Sequence, residues 1–397
     1  MRLTVLILFL IASPLPAQTL NGIDTLQAQN FAPLENQRLG LITNHTGRDR
    51  TGTPTIDLLH KAPNINLVAL FSPEHGIRGE ADENVDDETD AKTGLPVHSL
   101  YRENRRKPTP DQLAGLDALV FDIQDIGTRF YTYISTMGLA MEAAAENDLA
   151  FFVLDRVNPI GGLTVDGPVH QGEKNFTGHH PIPIRHGMTV GELANMFNAE
   201  NKLDLNLTVI PVENWSRDQY FDTTGLPWIN PSPNMRSLAE AVLYPGVALL
   251  EFTNVSVGRG TDIPFELVGA PYIDQPHLFA DALNQFQLPG VTFKPAQFKP
   301  KSSVFAEELC GGARIILTDP KACPAVDVGL ALALTLRSQY PDHWDMTNFY
   351  KLLKHPPTVD AVANALPLDE IHQTWFKDRA DFESRRRSFL LYDSPNP

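Results

Sequence analysis

Between residues 38 and 215, short apolar runs alternate with segments of helical period. RLGLITN (38–44), INLVALFSPEHG (65–76), LDALVFDIQDIG (116–127), DLAFFVLDRVNP (148–159) and LNLTVIPVENW (205–215) are apolar stretches that end in polar residues. Each predicts a strand covered on both faces. TPTIDLLHKA (53–62), YTYISTMGLAMEAAAEND (131–148) and TVGELANMFNAEN (189–201) predict helices between them. Alternation of this kind implies a parallel sheet, so the expected class is α/β with a Rossmann-like sheet. No strand is followed by a GxGxxG or P-loop pattern, and a nucleotide site is not supported.

The pattern loosens after about residue 210. WINPSPNMR (228–236) reads as a proline-rich loop, and YPGVALLEFTNVSVGRGTD (244–262) as an apolar strand with a polar, glycine-flanked end. Farther on, VTFKPAQFKP (291–300) and ARIILTD (313–319) predict strands and VDVGLALALTLRSQY (326–340) a helix. The expected organisation is a Rossmann-like catalytic domain over 18–265 and a smaller C-terminal α+β domain over 266–397 that completes a cleft.

Polar residues gather where the strands end. Asn44 and His45 follow the first strand, Glu74 and His75 the second, Asp122 to Arg129 the third, and Asp155 to Asn158 the fourth. Ligands of open parallel sheets bind outside the carboxyl ends of the strands. One polar tip is ordinarily a cap or turn; four together point to a site.

The chain opens MRLTVLILFLIASPLPAQ, one cation followed by an apolar run of about ten residues, which is too short to span a bilayer. It reads as a secretory signal peptide over 1–17, cleaved after Ala17, and implies export, with a bacterial periplasm expected. Removing it leaves 31 basic against 48 acidic residues. So acidic a chain is a poor general binder of nucleic acid or anionic membrane, and an anionic ligand needs a local exception made by a few arginines. Cys310 and Cys323 leave one disulfide open as a possibility and have no metal-site spacing.

Glu74, after Pro73 at a strand end, is the sharpest acid candidate; capping or pairing with Arg78 is the structural alternative. Asp125, in the loop, is the better reacting candidate of the third tip, whereas Asp122 is expected to orient backbone amides or pair with Arg129. Asp155 beside Arg156 suggests an ion pair. His45 and His75 are acid/base or ligand candidates, and His179–His180 is expected on the surface. No HExxH and no GxSxG occurs, which supports neither a zinc site nor a serine hydrolase. Tyr131 and Tyr133, with Phe130, Trp215 and Trp228, offer either core packing or a stacking wall for a sugar.

Taken in order, NHTG, FSPEHGIRG, LVFDIQDIGTRFYTYISTM, DRVNPIGG, RHGMTVGELA, LPWINPSPNM, YPGVALLEFTNVSVGRGTDIPFELVGAP and FKP…CGG resemble the exo-β-N-acetylmuramidase (NamZ-like) family, formerly a domain of unknown function. The resemblance covers nearly the whole mature chain. Val157 and Arg236 stand where the family usually has proline, and SLYREN replaces a more glycine-like turn. The resemblance implies a secreted glycosidase of cell-wall recycling that releases N-acetylmuramic acid from the non-reducing end of peptidoglycan fragments, with its site between two domains and no cofactor. It implies Glu74 as general acid. The second group is Asp125, Asp122 or Glu251, or the substrate's own acetamido group. Arg129 and Arg259 are the candidates for gripping the lactyl carboxylate, and Asn44, Asn158 and Asn254 for reading hydroxyl and acetamido groups. Two other classes stay in view: a periplasmic sugar-binding protein without turnover, and a metal-dependent hydrolase built on Asp122, Asp125, His45 and His75.

Overall fold

The computed structural model describes residues 18–73, 76–77, 87–101 and 106–394. The expected signal peptide, Glu74, His75 and Arg78 lie outside the described residues. The strands are β1 (Arg38–Thr43), β2 (Asn66–Ser72), β3 (Glu88–Thr89), β4 (Pro96–Ser99), β5 (Ala118–Asp122), β6 (Ala150–Leu154), β7 (Asp166–Val169), β8 (Pro183–Arg185), β9 (Leu207–Ile210), β10 (Leu267–Ala270), β11 (Val291–Phe298) and β12 (Cys310–Leu317). The helices are α1 (Gly22–Ala28), α2 (Thr55–Lys61), α3 (Pro110–Leu113), α4 (Tyr133–Glu146), α5 (Val190–Glu200), α6 (Leu238–Val247), α7 (Pro276–Asn284), α8 (Ala325–Gln339), α9 (Tyr350–Leu353), α10 (Pro356–Ala363), α11 (Leu368–Gln373) and α12 (Phe376–Arg386).

Seven strands form one sheet in the order β3-β4-β2-β1-β5-β6-β9. All neighbours are parallel except β3 and β4. The apolar runs explain the burial of both faces. Leu39, Leu41, Val120, Phe152 and Leu154 pack with Ile56 and Leu59 of α2 on one side. The alternate positions Ile42, Leu119, Phe121, Phe151 and Val153 face the other side, with Met137 and Met141 of α4 and Phe197 of α5. A strict period of two on two apolar faces is the signature of a covered parallel sheet. The expected α/β class, with a smaller C-terminal unit, is what the chain forms. That unit has an antiparallel sheet, β10-β12-β11, backed by α7 and α8.

The expected strand at 244–262 is not there. Ser237 accepts a hydrogen bond from the Glu240 amide at 3.2 Å, and the Glu240 carboxylate returns to the Ser237 amide. This capping box starts α6, which continues through Tyr244 and ends in a 3₁₀ turn, Ala248–Leu250. The run is apolar because α6 is buried from Glu240 onward and packed on α8, and period alone does not separate a buried helix from a buried strand.

Two further expectations change. His179 and His180 are buried rather than on the surface, and both pack on Phe197. Cys310 and Cys323 are free and buried, so the disulfide is not formed; burial pushes the thiols up to about 11 and about 12.

The C-terminal segment returns to the first sheet. α12 packs on β7, Arg386 donates to the Gly187 carbonyl at 2.8 Å, and Tyr392 donates to Asp155 at 2.5 Å.

Burial holds His170 down at about 4, His179 at about 3 and His355 at about 4. These folded rings refuse protons that the unfolded chain accepts. Their contribution to stability is therefore complete above about pH 6.5 and is lost as the pH falls through the folded values, with a slope of about 1.4 kcal/mol per pH unit for each proton. Asp155 and Glu240, each pushed up to about 6 by burial, act in the opposite direction, so the difference between two proteins is the readout. His179→Gln is expected to flatten the decline of urea-unfolding stability between pH 6.5 and 4. Parallel curves for variant and parent would remove His179 from the linkage.

Candidate active site

The carboxyl ends of β2, β1, β5 and β6 lie side by side in the sheet. At the β1 tip, Asn44 Oδ1 accepts from the Thr46 amide at 2.9 Å and the Thr46 hydroxyl at 2.6 Å. Its Nδ2 is buried and has no partner among the described residues. His45 Nε2 meets the Asn230 carbonyl at 2.7 Å, which ties this tip to the proline-rich loop. Beyond β2, the Gly76 amide donates to the Pro73 carbonyl at 3.4 Å.

Asp122, at the β5 tip, is fully buried. It accepts from Arg156 Nε at 2.6 Å and Nη2 at 3.0 Å, and from Thr55 Oγ1 at 2.5 Å. Its cation is thus Arg156, not Arg129 as expected, because the parallel neighbour β6 brings residue 156 beside the tip of β5. The suggested Asp155–Arg156 ion pair is replaced by this arrangement. Asp155 instead accepts from Thr189 Oγ1 at 2.7 Å, the Gly191 amide at 2.8 Å and Tyr392 at 2.5 Å. Burial raises its pKa to about 6 against the pull of these bonds.

Asp125 is buried in the loop after β5. Its Oδ2 accepts from the Gly127 amide at 2.7 Å and lies 3.6 Å from His186 Nε2, while Oδ1 has no partner among the described residues. His186 Nδ1 takes the Met188 amide at 3.2 Å, so the ring proton belongs on Nε2, facing Asp125. Gly127 closes this turn with φ +82°, and a Cβ there would lie 2.4 Å from Asn158 Oδ1. Sequence reasoning missed His186. The only local signal was its place in RHGMTVGELA, between Arg185 and Gly187.

Arg129 is buried, and its four η N–H bonds go to the carbonyls of Pro168, Ile182, Leu352 and Leu353 at 3.0, 3.4, 2.5 and 3.0 Å. Burial lowers it to about 9. This is a staple between β7, β8 and α9, and it leaves no η donor for a ligand. Asn158 joins the Ile160 amide to the Met188 carbonyl, and Asn254 joins the His343 carbonyl to the Asp345 amide. Each amide thus spends one donor and one acceptor on the protein's own backbone.

The remaining expected residues meet in one cleft of about 380 Å³. Tyr131 and Tyr133 form one wall and stand edge to face at 5.1 Å, and Tyr131 meets Tyr244 in the same way at 5.7 Å. Tyr133 donates to the Pro231 carbonyl at 2.7 Å, which locks the wall to the proline-rich loop. The opposite side comes from the C-terminal part, where Glu251 and Arg259 form an ion pair at 2.6 Å. Arg259 also lies 5.6 Å from the Phe265 ring. Aromatic walls with a few convergent polar groups suit a sugar, and the volume falls in the range of small-ligand sites. A second concavity, beside Arg48, Arg156 and Trp228, holds only about 20 Å³, room for one water. Among the described residues, no group of three or more His, Cys, Asp and Glu is placed to hold a metal ion.

Two family models match, described as the N-terminal and C-terminal parts of exo-beta-N-acetylmuramidase NamZ, over residues 39–239 and 242–392. The peptidoglycan beta-N-acetylmuramidase NamZ of Bacillus subtilis (strain 168) is 44% identical over 377 residues, 94% of this chain and 91% of that protein. Two solved DUF1343 family proteins from Bacteroides fragilis NCTC 9343 share the fold. One is 40% identical with a TM-score of 0.89, covering 95% of this chain and 99% of the other. The second is 32% identical with a TM-score of 0.78, covering 96% and 100%. With matching models over most of its length and a close relative spanning nearly all of it, the chain belongs to the exo-beta-N-acetylmuramidase NamZ family.

Proposed function

We propose that the tyrosine-walled cleft binds the terminal N-acetylmuramic acid residue of a peptidoglycan fragment and cuts its β-glycosidic bond, releasing the sugar from the non-reducing end. The observation that carries this reading is the cleft itself. It joins aromatic walls from the segments after β4 and β5 to a half-buried arginine and a carboxylate that follow α6, in a muramidase-family chain. The protein acts after export, in a bacterial periplasm, and its chemistry draws on side chains and substrate alone.

Glu74 donates the proton to the leaving oxygen, in the role that its motif implies. Of the three carboxylates considered for the second group, Asp122 has both oxygens engaged by Arg156 and Thr55, and Asp125 faces His186 outside the cleft lining. Glu251 lines the cleft. Charge in the oxocarbenium-like transition state then falls to Glu251 or to the acetamido oxygen of the substrate. Arg259, steadied by Glu251, takes the lactyl carboxylate that distinguishes muramic acid from glucosamine. Asn44 is buried and, like Asp125, lies outside the cleft lining.

Glu74→Gln is expected to keep the fold and lower release of N-acetylmuramic acid from the disaccharide by roughly 10²-fold or more. Product analysis by mass spectrometry reads this directly. Near-parental release from the variant would remove Glu74 as the acid, and no release by the parent would favour a binding protein instead.

Arg259→Ala is expected to cost about tenfold or more in kcat/KM on muramic substrates while sparing an N-acetylglucosaminide analogue. Arg129→Ala should instead lower the melting temperature, with no such discrimination between substrates, because four carbonyls lose their donor. An equal loss on both substrates for Arg259→Ala would exclude the lactyl contact.

A further inference from the structure

We infer that Arg106 forms an outer anion-binding position at the mouth of the cleft, which takes a carboxylate of the substrate beyond the sugar that is released. The inference rests on the muramidase reading above.

The Arg106 guanidinium carbon lies 4.0 Å from the Phe176 ring centroid and 5.1 Å from that of Tyr101. The two rings are 6.0 Å apart. Tyr101 lines the cleft, and so does Thr177, the residue after Phe176. The arginine therefore lies against two touching aromatic rings that adjoin the cleft from different segments. Contact with aromatic rings leaves a guanidinium its charge and its N–H donors, which suit a carboxylate.

Phe176 is presented rigidly. Asn175 and Gly178 exchange two main-chain hydrogen bonds at 3.2 and 3.1 Å, with Phe176 and Thr177 at the apex. Asn175 Oδ1 accepts from both the amide and the hydroxyl of Thr177 at 3.0 Å. Gly178 rests on His170, where a Cβ would lie 2.7 Å from the imidazole.

The charge around Arg106 is uneven. Neighbouring Lys107 and Lys174 are both taken by acids, Lys107 by Glu146 at 2.7 Å and Lys174 by Glu142. Arg106 makes no ion pair among the described residues, in a chain whose formal net charge is −16. In so acidic a protein, an arginine held by aromatic rings beside a sugar cleft, with no ion pair among the described residues, is suited to an anion.

The proposed substrate supplies one in two ways. Its glycan alternates muramic acid and glucosamine, so the sugar after the released one has no carboxylate and the next one carries a lactyl group. Where a stem peptide amidates a lactyl group, the peptide brings its own carboxylates. The shared chemistry is a carboxylate held away from the cut bond.

The test compares three substrates: the muramic acid–glucosamine disaccharide, the peptide-free tetrasaccharide, and a tetrasaccharide with a stem peptide on its inner muramic residue. Arg106→Met is expected to raise KM about tenfold on one or both of the longer substrates, with disaccharide turnover unchanged. A loss on the peptide-free tetrasaccharide assigns the lactyl group; a loss confined to the peptide-bearing one assigns the stem. Arg106→Lys should fall between variant and parent, because it keeps the charge but not the planar fork. An equal loss on all three substrates, or no loss on any, would overturn the proposal. Calorimetric binding of the tetrasaccharides to parent and Arg106→Met reads the same contact without turnover. If the parent fails to cleave the disaccharide, the muramidase reading fails while the role of Arg106 is still decided.

Discussion

Asp122 and Arg156 form a buried ion pair at 2.6 Å where the tips of β5 and β6 meet. Burying two charges is unfavourable unless the geometry is good and the remaining lone pairs are filled. Here both conditions hold. Asp122 accepts two bonds from Arg156 and one from Thr55, which opens α2, and Arg156 Nη2 also reaches the Arg48 carbonyl at 2.9 Å. One interaction thus joins the ends of two strands, the start of a helix and the loop after β1. Removing either partner would strand a charge in the interior, at a cost of about 3–5 kcal/mol. Asp125 and the tyrosine wall follow the tip of β5, and Asn44 and His45 lie in the loop after β1 that Arg156 holds at Arg48, so the site edge depends on the pair.

The same economy of charge recurs deeper in the molecule. Irregular backbone is buried around the site, and each buried carbonyl needs a donor. Arginines supply them. Arg129 serves four carbonyls, Arg217 serves those of Gly162 and Gly187 while pairing with Glu192 at 2.5 Å, and Arg185 reaches the Ile160 carbonyl at 2.5 Å. Arg386 brings the C-terminal helix onto the same loops. A planar cation with five donors is well matched to converging carbonyls, whereas lysine would satisfy fewer of them. Arg129 is thereby a wall-building residue, although it stands in the middle of a motif that invites a substrate role.

What was legible in the chain follows from the range of the forces involved. Five of the seven strands of the first sheet, with α2, α4 and α5, came from local periodicity, and the site edge came from a topological rule that needs only strand direction; the short strands β3 and β4 carry no such pattern and were not legible. Partner choice was not legible. Asp122 and Arg156 are 34 positions apart, and only the register of β5 beside β6 brings them together. The helix α6 was hidden for a different reason: buried from Glu240 onward, it has no polar face, so its period vanishes and only the Ser237–Glu240 cap marks it. His186 was hidden because its neighbour Asp125 lies on another element, so no spacing in the sequence couples the two.

An acidic protein that handles an acidic sugar must solve an electrostatic problem, and its cations divide by location to do so. Those in the interior are bound to carbonyls or carboxylates and contribute little to the surface field. Exposed pairs such as Lys107–Glu146 are screened and weak. Among the described residues, two cations at the cleft are held by aromatic faces, Arg259 by Phe265 and Arg106 by Phe176 and Tyr101. An aromatic ring holds a guanidinium without neutralising it, which a carboxylate would do. Arg259 has both kinds of neighbour, with Glu251 on one edge, and is therefore balanced; a substrate carboxylate must compete with or displace that bond. Arg106 has only the aromatic kind among the described residues. The difference matters for recognition. On the proposed reading the balanced arginine would confer selectivity, because only a well-placed carboxylate improves on Glu251. The unbalanced one would confer attraction on the same reading, because any carboxylate that reaches it gains. Strict reading within the cleft and permissive capture at its mouth is the division that an exo-acting enzyme needs when its substrates share one end and vary in everything beyond it.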